Sequence, residues 1–307
     1  MPNLTIVKIA VIGLWALAKV VITNLKSVKK LRQEARESRP LYLRPKRRYK
    51  LPEYKKGMPY CYSRKKYLRR TLYCNPWAPE VIALANKLGA FKKSPWDFAE
   101  SAFEFVKRKI TLEILPMDED VATLQRGTGT CIQKLSVFIS LCRCAGIPGR
   151  YKLYSLATIQ SWYDTFVAVD PLMRKWYDAL GYFMMHGSGE ALIKGKWIPA
   201  DVGPTPERQA ASGIPITRFG EESIGIWTFP IPGTLMHLES IPVGLTFVSK
   251  LLMNKLSPRT VDKINASILL QIERGGEILD KVGEKKYNEE KRKIYRPEMP
   301  TINLKKN

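Results

Sequence analysis

The stretch from Gly127 to Arg150 limits what this chain can fold into more than any other. Gly127-Thr-Gly129-Thr130 reads as a turn that lets backbone come close to a neighbour. From Cys131 onward, Leu135, Phe138, Ile139 and Cys142 recur at helical spacing, and Ala145-Gly146-Ile147-Pro148 stops the helix with glycine and then proline. The result is a buried helix that opens on a thiol. A helix N-terminus presents unpaired amide groups and a positive dipole end, which favour a thiolate over a thiol. Elements on either side must therefore wrap this helix while leaving its first turn accessible.

The rest of the chain can supply them. At 307 residues, 45% apolar and 26% charged, it has the composition of a globular protein with one well-buried domain and appendages. Pro79 to Leu88 is expected to be a short helix ended by Gly89. Ser94-Pro95-Trp96-Asp97 opens another, with serine as cap, proline in the first position and a carboxylate in the first turn. Phe98, Ala102, Val106 and Ile110 mark its buried face. Asp118 to Arg126 is a polar helix or loop, and Arg150 to Leu156 alternates as a strand. Gln160 to Leu180, rich in aromatics, reads as a helical insertion over one side of the cleft. Glu190 to Ile193 and Trp197 to Asp201 form a hairpin around Gly195. Two more helices are expected, Pro242 to Leu256 and Ser257 to Gly275, followed from Lys281 by a loose charged tail.

The net charge of +23 is concentrated near the N-terminus: from Lys26 to Arg70, eighteen lysines and arginines face three acidic residues. This points to an anionic partner, either a membrane surface, nucleic acid or an acidic protein. Leu4 to Ile22 is apolar except for Lys8 and Lys19, which lie about 20° apart around a helix. A membrane-anchoring helix, spanning or lying in the interface, is preferred over a signal peptide cleaved after Ala18 or a helix buried against a partner. If it spans, the basic stretch behind it favours the cytoplasmic side for the remainder. The prolines and seven tyrosines between Lys26 and Tyr73 read as an extended strap, with tyrosines packed on the domain in preference to stacked on bases. The expected divisions are 1–25, apolar helix; 26–74, basic strap; 75–230, catalytic domain; and 231–307, helical extension and tail.

A cysteine nucleophile needs a histidine to hold the thiol proton and a polar group to orient that histidine. The chain has only His186 and His237. His186 stands before the hairpin and Asp201 ends it, so antiparallel pairing can bring them together. His237 lies in an apolar run more typical of a packed histidine. Cys142 and Cys144 read as structural, and five irregularly spaced cysteines do not form a disulfide framework. Two isolated histidines without a Cys-x-x-Cys pair disfavour a metal site, and no cofactor motif is present.

These residues resemble the transglutaminase-like superfamily. Its nucleophile segment is a glycine and a short residue before the cysteine, then a helix ending in Arg-x-x-Gly-Ile-Pro-x-Arg. Gly129-Thr-Cys131 and Arg143, Gly146, Ile147, Pro148 and Arg150 match it. Its second segment is matched by His186, Glu190, Trp197 and Asp201, and Phe103 to Ile110 is similar to the helix upstream. The likeness runs from Pro79 to about Gly225. It implies an α+β, papain-like core of helices on a small antiparallel sheet, with the N-terminal and C-terminal helices added to it. It also implies catalytic Cys131, His186 and Asp201, with Glu190 and Trp197 supporting. One departure is Ser188, where the family has an aromatic; His186-Gly-Ser-Gly189 is expected to be an open loop. The implied chemistry is acyl transfer from peptide, isopeptide or glutamine amides, to water or to an amine. A catalytically silent binding module at a membrane and a basic nucleic-acid-associated protein are the alternatives.

Overall fold

The computed structural model describes residues 4–37, 39–182, 185–242, 244, 250 and 258–300. Two helices begin the chain, α1 (Leu4–Thr23) and α2 (Leu25–Glu37). The core follows with α3 (Pro79–Leu88), α4 (Pro95–Lys109), β1 (Thr111–Leu112), α5 (Asp120–Arg126), β2 (Thr128–Gly129), α6 (Cys131–Cys144) and β3 (Gly149–Thr158). A short turn α7 (Gln160–Trp162), widened over Tyr163–Val167, leads to α8 (Pro171–Leu180), β4 (Met185–Ile193) and β5 (Lys196–Ala200). Then come α9 (Pro206–Ala211), β6 (Thr228–Pro230), β7 (Met236–Leu238), α10 (Pro258–Val282) and α11 (Glu284–Ile294). The architecture is α+β. An antiparallel sheet in the order β5-β4-β3-β6, with β7 also on β3, packs against helices, and β1 and β2 form a separate parallel pair.

Helix α6 is the centre of the core, and its side chains after Cys131 are buried all round. Its start is fixed by a capping box: Thr130 Oγ1 accepts from the Gln133 amide, and Gln133 Oε1 accepts from the Thr130 amide. The stop is Gly146, at φ 80°. Helices α3 and α4 begin and end where the capping residues predict, with Ser94 accepting from the Asp97 amide. The β4–β5 turn takes Lys194 and Gly195 to φ 49° and 77°, the left-handed pair that a two-residue hairpin needs.

His186-Gly-Ser-Gly189 is not an open loop but part of β4. The glycines let α6 approach the sheet. Of the α6 side chains, Leu135 Cδ1 would lie 3.1 Å from a Cβ on Gly187 and Phe138 Cδ1 2.9 Å from one on Gly189. Ser188 is buried in the strand.

The strap differs from expectation in its first part, because Leu25–Glu37 is helical, with Val28 packed beside Leu172 and Val20. From Arg39 the segment is extended and tied to the core. Tyr49 donates to the Leu124 carbonyl (2.6 Å) and stands edge-on to Phe105, Arg44 forks onto Glu113, and Tyr67 is edge-on to Trp197. Arg143, buried at the end of α6, donates to the carbonyls of Gly149, Arg69 and Glu239. Strap, helix stop and sheet edge are thus joined by one guanidinium.

At the N-terminus, α1 lies against α8, with Trp176 donating to the Gly13 carbonyl. Leu4, Val11, Trp15 and Ile22 face outward. Among the described residues no helix is long and apolar enough to cross a membrane, so the spanning reading finds no support. Most of the expected helix from Pro242 to Leu256 lies outside the described residues. The next helix runs on past Gly275 to Val282, and the expected loose tail is α11 instead. Tyr287 donates to the carbonyls of Ala210 and Ile214, Asn288 pairs with the Ile216 backbone, and Glu284 pairs with Arg108, so buried and charged side chains together hold this helix.

Helix α10 buries Ile264, Ile268 and Ile272 against Leu112, Ile114 and Phe166, and Asn265 bonds both backbone groups of Ile114. It also crosses α9 closely: a Cβ on Gly275 would lie 1.6 Å from the Glu207 carbonyl oxygen, whereas one on Gly276 would meet nothing within 4 Å. Gly275→Ala is expected to cost about 3 kcal/mol in denaturant unfolding through overpacking against backbone. Gly276→Ala should be neutral or stabilising by up to ~1 kcal/mol through helix propensity.

Candidate active site

The β1–β2 pair sets the nucleophile in place. Thr111 and Glu113 donate to the carbonyls of Gly127 and Gly129, which anchors the turn that delivers Thr130 and Cys131. Cys131 then occupies the first turn of α6, where the amides have no acceptor inside the helix. Its thiol is partly accessible and all five cysteines are unbridged.

His186 reaches this thiol from β4. Gly189 pairs with Ala200 and Glu190 with Pro199, and the same register carried back along β4 sets His186 level with Gly203, just past Asp201. The three side chains converge there. A Cβ on Gly203 would lie 3.1 Å from Asp201 Oδ1, 3.2 Å from His186 Cε1 and 3.5 Å from Cys131 Cβ, so a side chain here would crowd all three. His186 Nε2 stands 3.7 Å from Asp201 Oδ2, an ion-pair separation beyond hydrogen-bond range. Tyr154 and Trp227 close the ring in edge-on, at centroid distances of 5.7 and 5.0 Å.

The electrostatics favour a charged imidazole. Burial on its own would lower the pKa of His186, but the pull of Asp201 and of Cys131 outweighs it and lifts the group to about 10. Burial likewise works against the Asp201 carboxylate. His186, the charge of Lys107 and a short bond from Ser223 Oγ to Oδ2 (2.5 Å) nevertheless hold its pKa below the usual value. The Gly203 amide donates to Oδ1 at 3.0 Å.

Two buried lysines fasten the loop behind the site. Lys134, one turn into α6, donates to the Gly203 carbonyl, and Lys107 of α4 to the Pro204 carbonyl, Gln209 and Thr217. Burial pulls Lys134 down to about 7 and Lys107 down to about 8.

Glu190 and Trp197, expected to support the site, belong elsewhere. Glu190 pairs with Arg150, whose guanidinium lies over the Trp197 ring at 4.0 Å. Four residues along β4 is about 13 Å, so this cluster braces the sheet rather than the histidine. His237 sits on β7, 3.6 Å from Glu190, and is more exposed than a packed histidine. Ser223, Tyr154 and Trp227 carried no sequence signal of their own, because only the fold brings them to the imidazole.

In front of Cys131 lies a cleft lined by Leu112, Ile114, Trp162, Phe166 and His186 among others. The aromatic insertion forms one wall, as expected from the sequence, and α10 packs behind Leu112 and Ile114. Ser223→Ala removes a hydrogen bond to a buried carboxylate, worth about 1.5 kcal/mol or more. Alkylation of Cys131 at neutral pH is expected to slow about tenfold while the fold is retained; an unchanged rate would mean that Ser223 does not hold Asp201 in its working state.

The chain matches the family model of the transglutaminase-like superfamily over residues 82–202. No curated protein matches it. A solved structure of a candidate cysteine protease from Cytophaga hutchinsonii aligns at 16% identity and TM-score 0.35, over 56% of this chain and 50% of that one. The chain thus spans half the length of that protein. Cys131, His186 and Asp201 all lie within residues 82–202, the stretch that matches the transglutaminase-like superfamily model.

Proposed function

We propose that this protein is a thiol enzyme that cleaves or transfers acyl groups at amide bonds through a thioester on Cys131. The observation that carries the reading is a partly accessible thiol in the first turn of a capped helix, beside a buried imidazole lifted to about 10 by a carboxylate and the thiol itself. Such an imidazole takes the thiol proton and leaves a thiolate at neutral pH.

The steps follow from that pair. The Cys131 sulfur adds to the amide carbonyl, and the oxygen takes up the negative charge near the Cys131 amide at the helix start. The imidazolium of His186 gives its proton to the leaving nitrogen as the C–N bond breaks, which leaves a thioester and a neutral imidazole. Water or an amine then loses a proton to His186 while attacking the thioester, and the sulfur departs as thiolate. Asp201 keeps the ring oriented and its cation stabilised throughout.

The rate of Cys131 alkylation by iodoacetamide against pH tests this reading. In the parent, Cys131 should react readily at pH 6.5 if His186 takes its proton. In His186→Ala the rate at pH 6.5 should fall at least tenfold. Identical profiles for parent and variant would sink the thiolate–imidazolium pair.

A further inference from the structure

One side chain in the cleft is left without the partner that its chemistry demands. Arg208, in α9, has no solvent exposure and lines the same cleft as Cys131 and His186. Its Nε donates to Gln271 Oε1 of α10 at 2.9 Å, and its guanidinium carbon lies 3.9 Å from the centre of the Trp162 ring and 4.7 Å from that of Phe166. These contacts orient the planar group. Its two terminal nitrogens, Nη1 and Nη2, have no hydrogen-bond partner. No carboxylate is paired with it among the described ion pairs, and the charge set against it is that of Cys131. Burial without a counter-ion pulls it down to about 9.

A buried guanidinium with both terminal nitrogens free is matched by a planar anion that accepts two parallel hydrogen bonds. The neighbouring walls, Leu112, Ile114 and Leu156, are apolar and suit a small carbon frame. We propose that Arg208 forms a carboxylate subsite beside Cys131, so that the enzyme's acyl donors are small amides or short peptides carrying a carboxylate next to the scissile bond. The inference rests on the thiol chemistry proposed above and adds its substrate class. Arg208 lies outside the segment that matches the family model, and its approach to Cys131 comes from the packing of α9 against α10.

Two alkylating reagents of similar size test the subsite on the full chain. Iodoacetate carries a carboxylate one bond from its reactive carbon, and iodoacetamide carries a neutral amide there. With either, the Cys131 sulfur displaces iodide as the S–C bond forms, and modification is read at the Cys131 peptide by mass. The imidazolium of His186 also attracts an anion, so the deciding quantity is the rate ratio of iodoacetate to iodoacetamide in the parent against that in Arg208→Gln. The ratio is expected to fall about tenfold or more on losing the two-pronged contact. An unchanged ratio would reduce Arg208 to packing. Should Arg208→Gln fail to fold, the parent alone decides through protection of Cys131 from iodoacetamide. Propionate should protect with saturation and propionamide should not, at matched pH and ionic strength; equal protection, or none, overturns the subsite. Absence of neutral-pH reaction of Cys131 with iodoacetamide would instead overturn the thiolate reading and the subsite with it, so the two failures are distinguishable.

Discussion

A cation inside a protein persists only where opposite charge and hydrogen bonds repay its lost hydration, and the surroundings of His186 favour the charged form. Its ring is buried between Tyr154 and Trp227, where an unaided imidazole would be neutral. Asp201 keeps it charged, and Asp201 in turn is kept ionised by Ser223, the Gly203 amide and the charge of Lys107. Lys107 and Lys134 hold the carbonyls of Pro204 and Gly203, which fixes the loop that carries the carboxylate. The buried charges around Cys131 are therefore a linked set: removing one leaves another uncompensated in low dielectric. Gly203, in the loop after β5, leaves Cys131, His186 and Asp201 close to one another with no side chain of its own between them.

The outer parts serve the same arrangement by closing the core around α6. Arg143 joins the strap, the end of α6 and the edge of the sheet through backbone carbonyls, which accounts for a buried arginine at this position. The strap crosses from Glu113, beside the β1–β2 pair, to Trp197 and the hairpin. Helix α10 seals the opposite side, and its close crossing with α9 at Gly275 holds Gln271 against Arg208. The cleft wall that carries the guanidinium is therefore set by a helix far from Cys131 in the chain.

Much of this was legible before the fold was known, wherever the code is local. Ser94 as a cap, Gly89 and Gly146 as stops, and Lys194-Gly195 as a hairpin turn each act through a few neighbouring residues. Cys131, His186 and Asp201 could be picked out because a helix start and a hairpin register bring them together without knowledge of the rest. What was not legible depends on distant surfaces. Gly187 and Gly189 look like loop residues until α6 is laid against them. Helix α11 looks like a loose charged tail because only Tyr287 and Asn288 of it are buried, while its other ties are ion pairs and bonds made by charged residues. Glu190 and Trp197 lie in the family motif, yet the fold turns them toward Arg150. Arg208 and Ser223 have no local signature, since their roles come from contacts across α10 and the loop before β6.

The central claim is a protonated His186 at neutral pH, and the chain has only His186 and His237 to resolve by NMR. The imidazole carbon and nitrogen shifts of both, followed against pH in the parent and in Cys131→Ala, measure it directly. The account predicts that His186 stays protonated through neutrality and titrates near 10, with a lower midpoint once the thiol is removed. Because its folded pKa is raised, stability linked to this proton should be complete below about pH 6.5 and lost as pH climbs towards 10. A His186 midpoint near 6.5 that ignores Cys131→Ala would contradict the thiolate–imidazolium pair and the chemistry built on it.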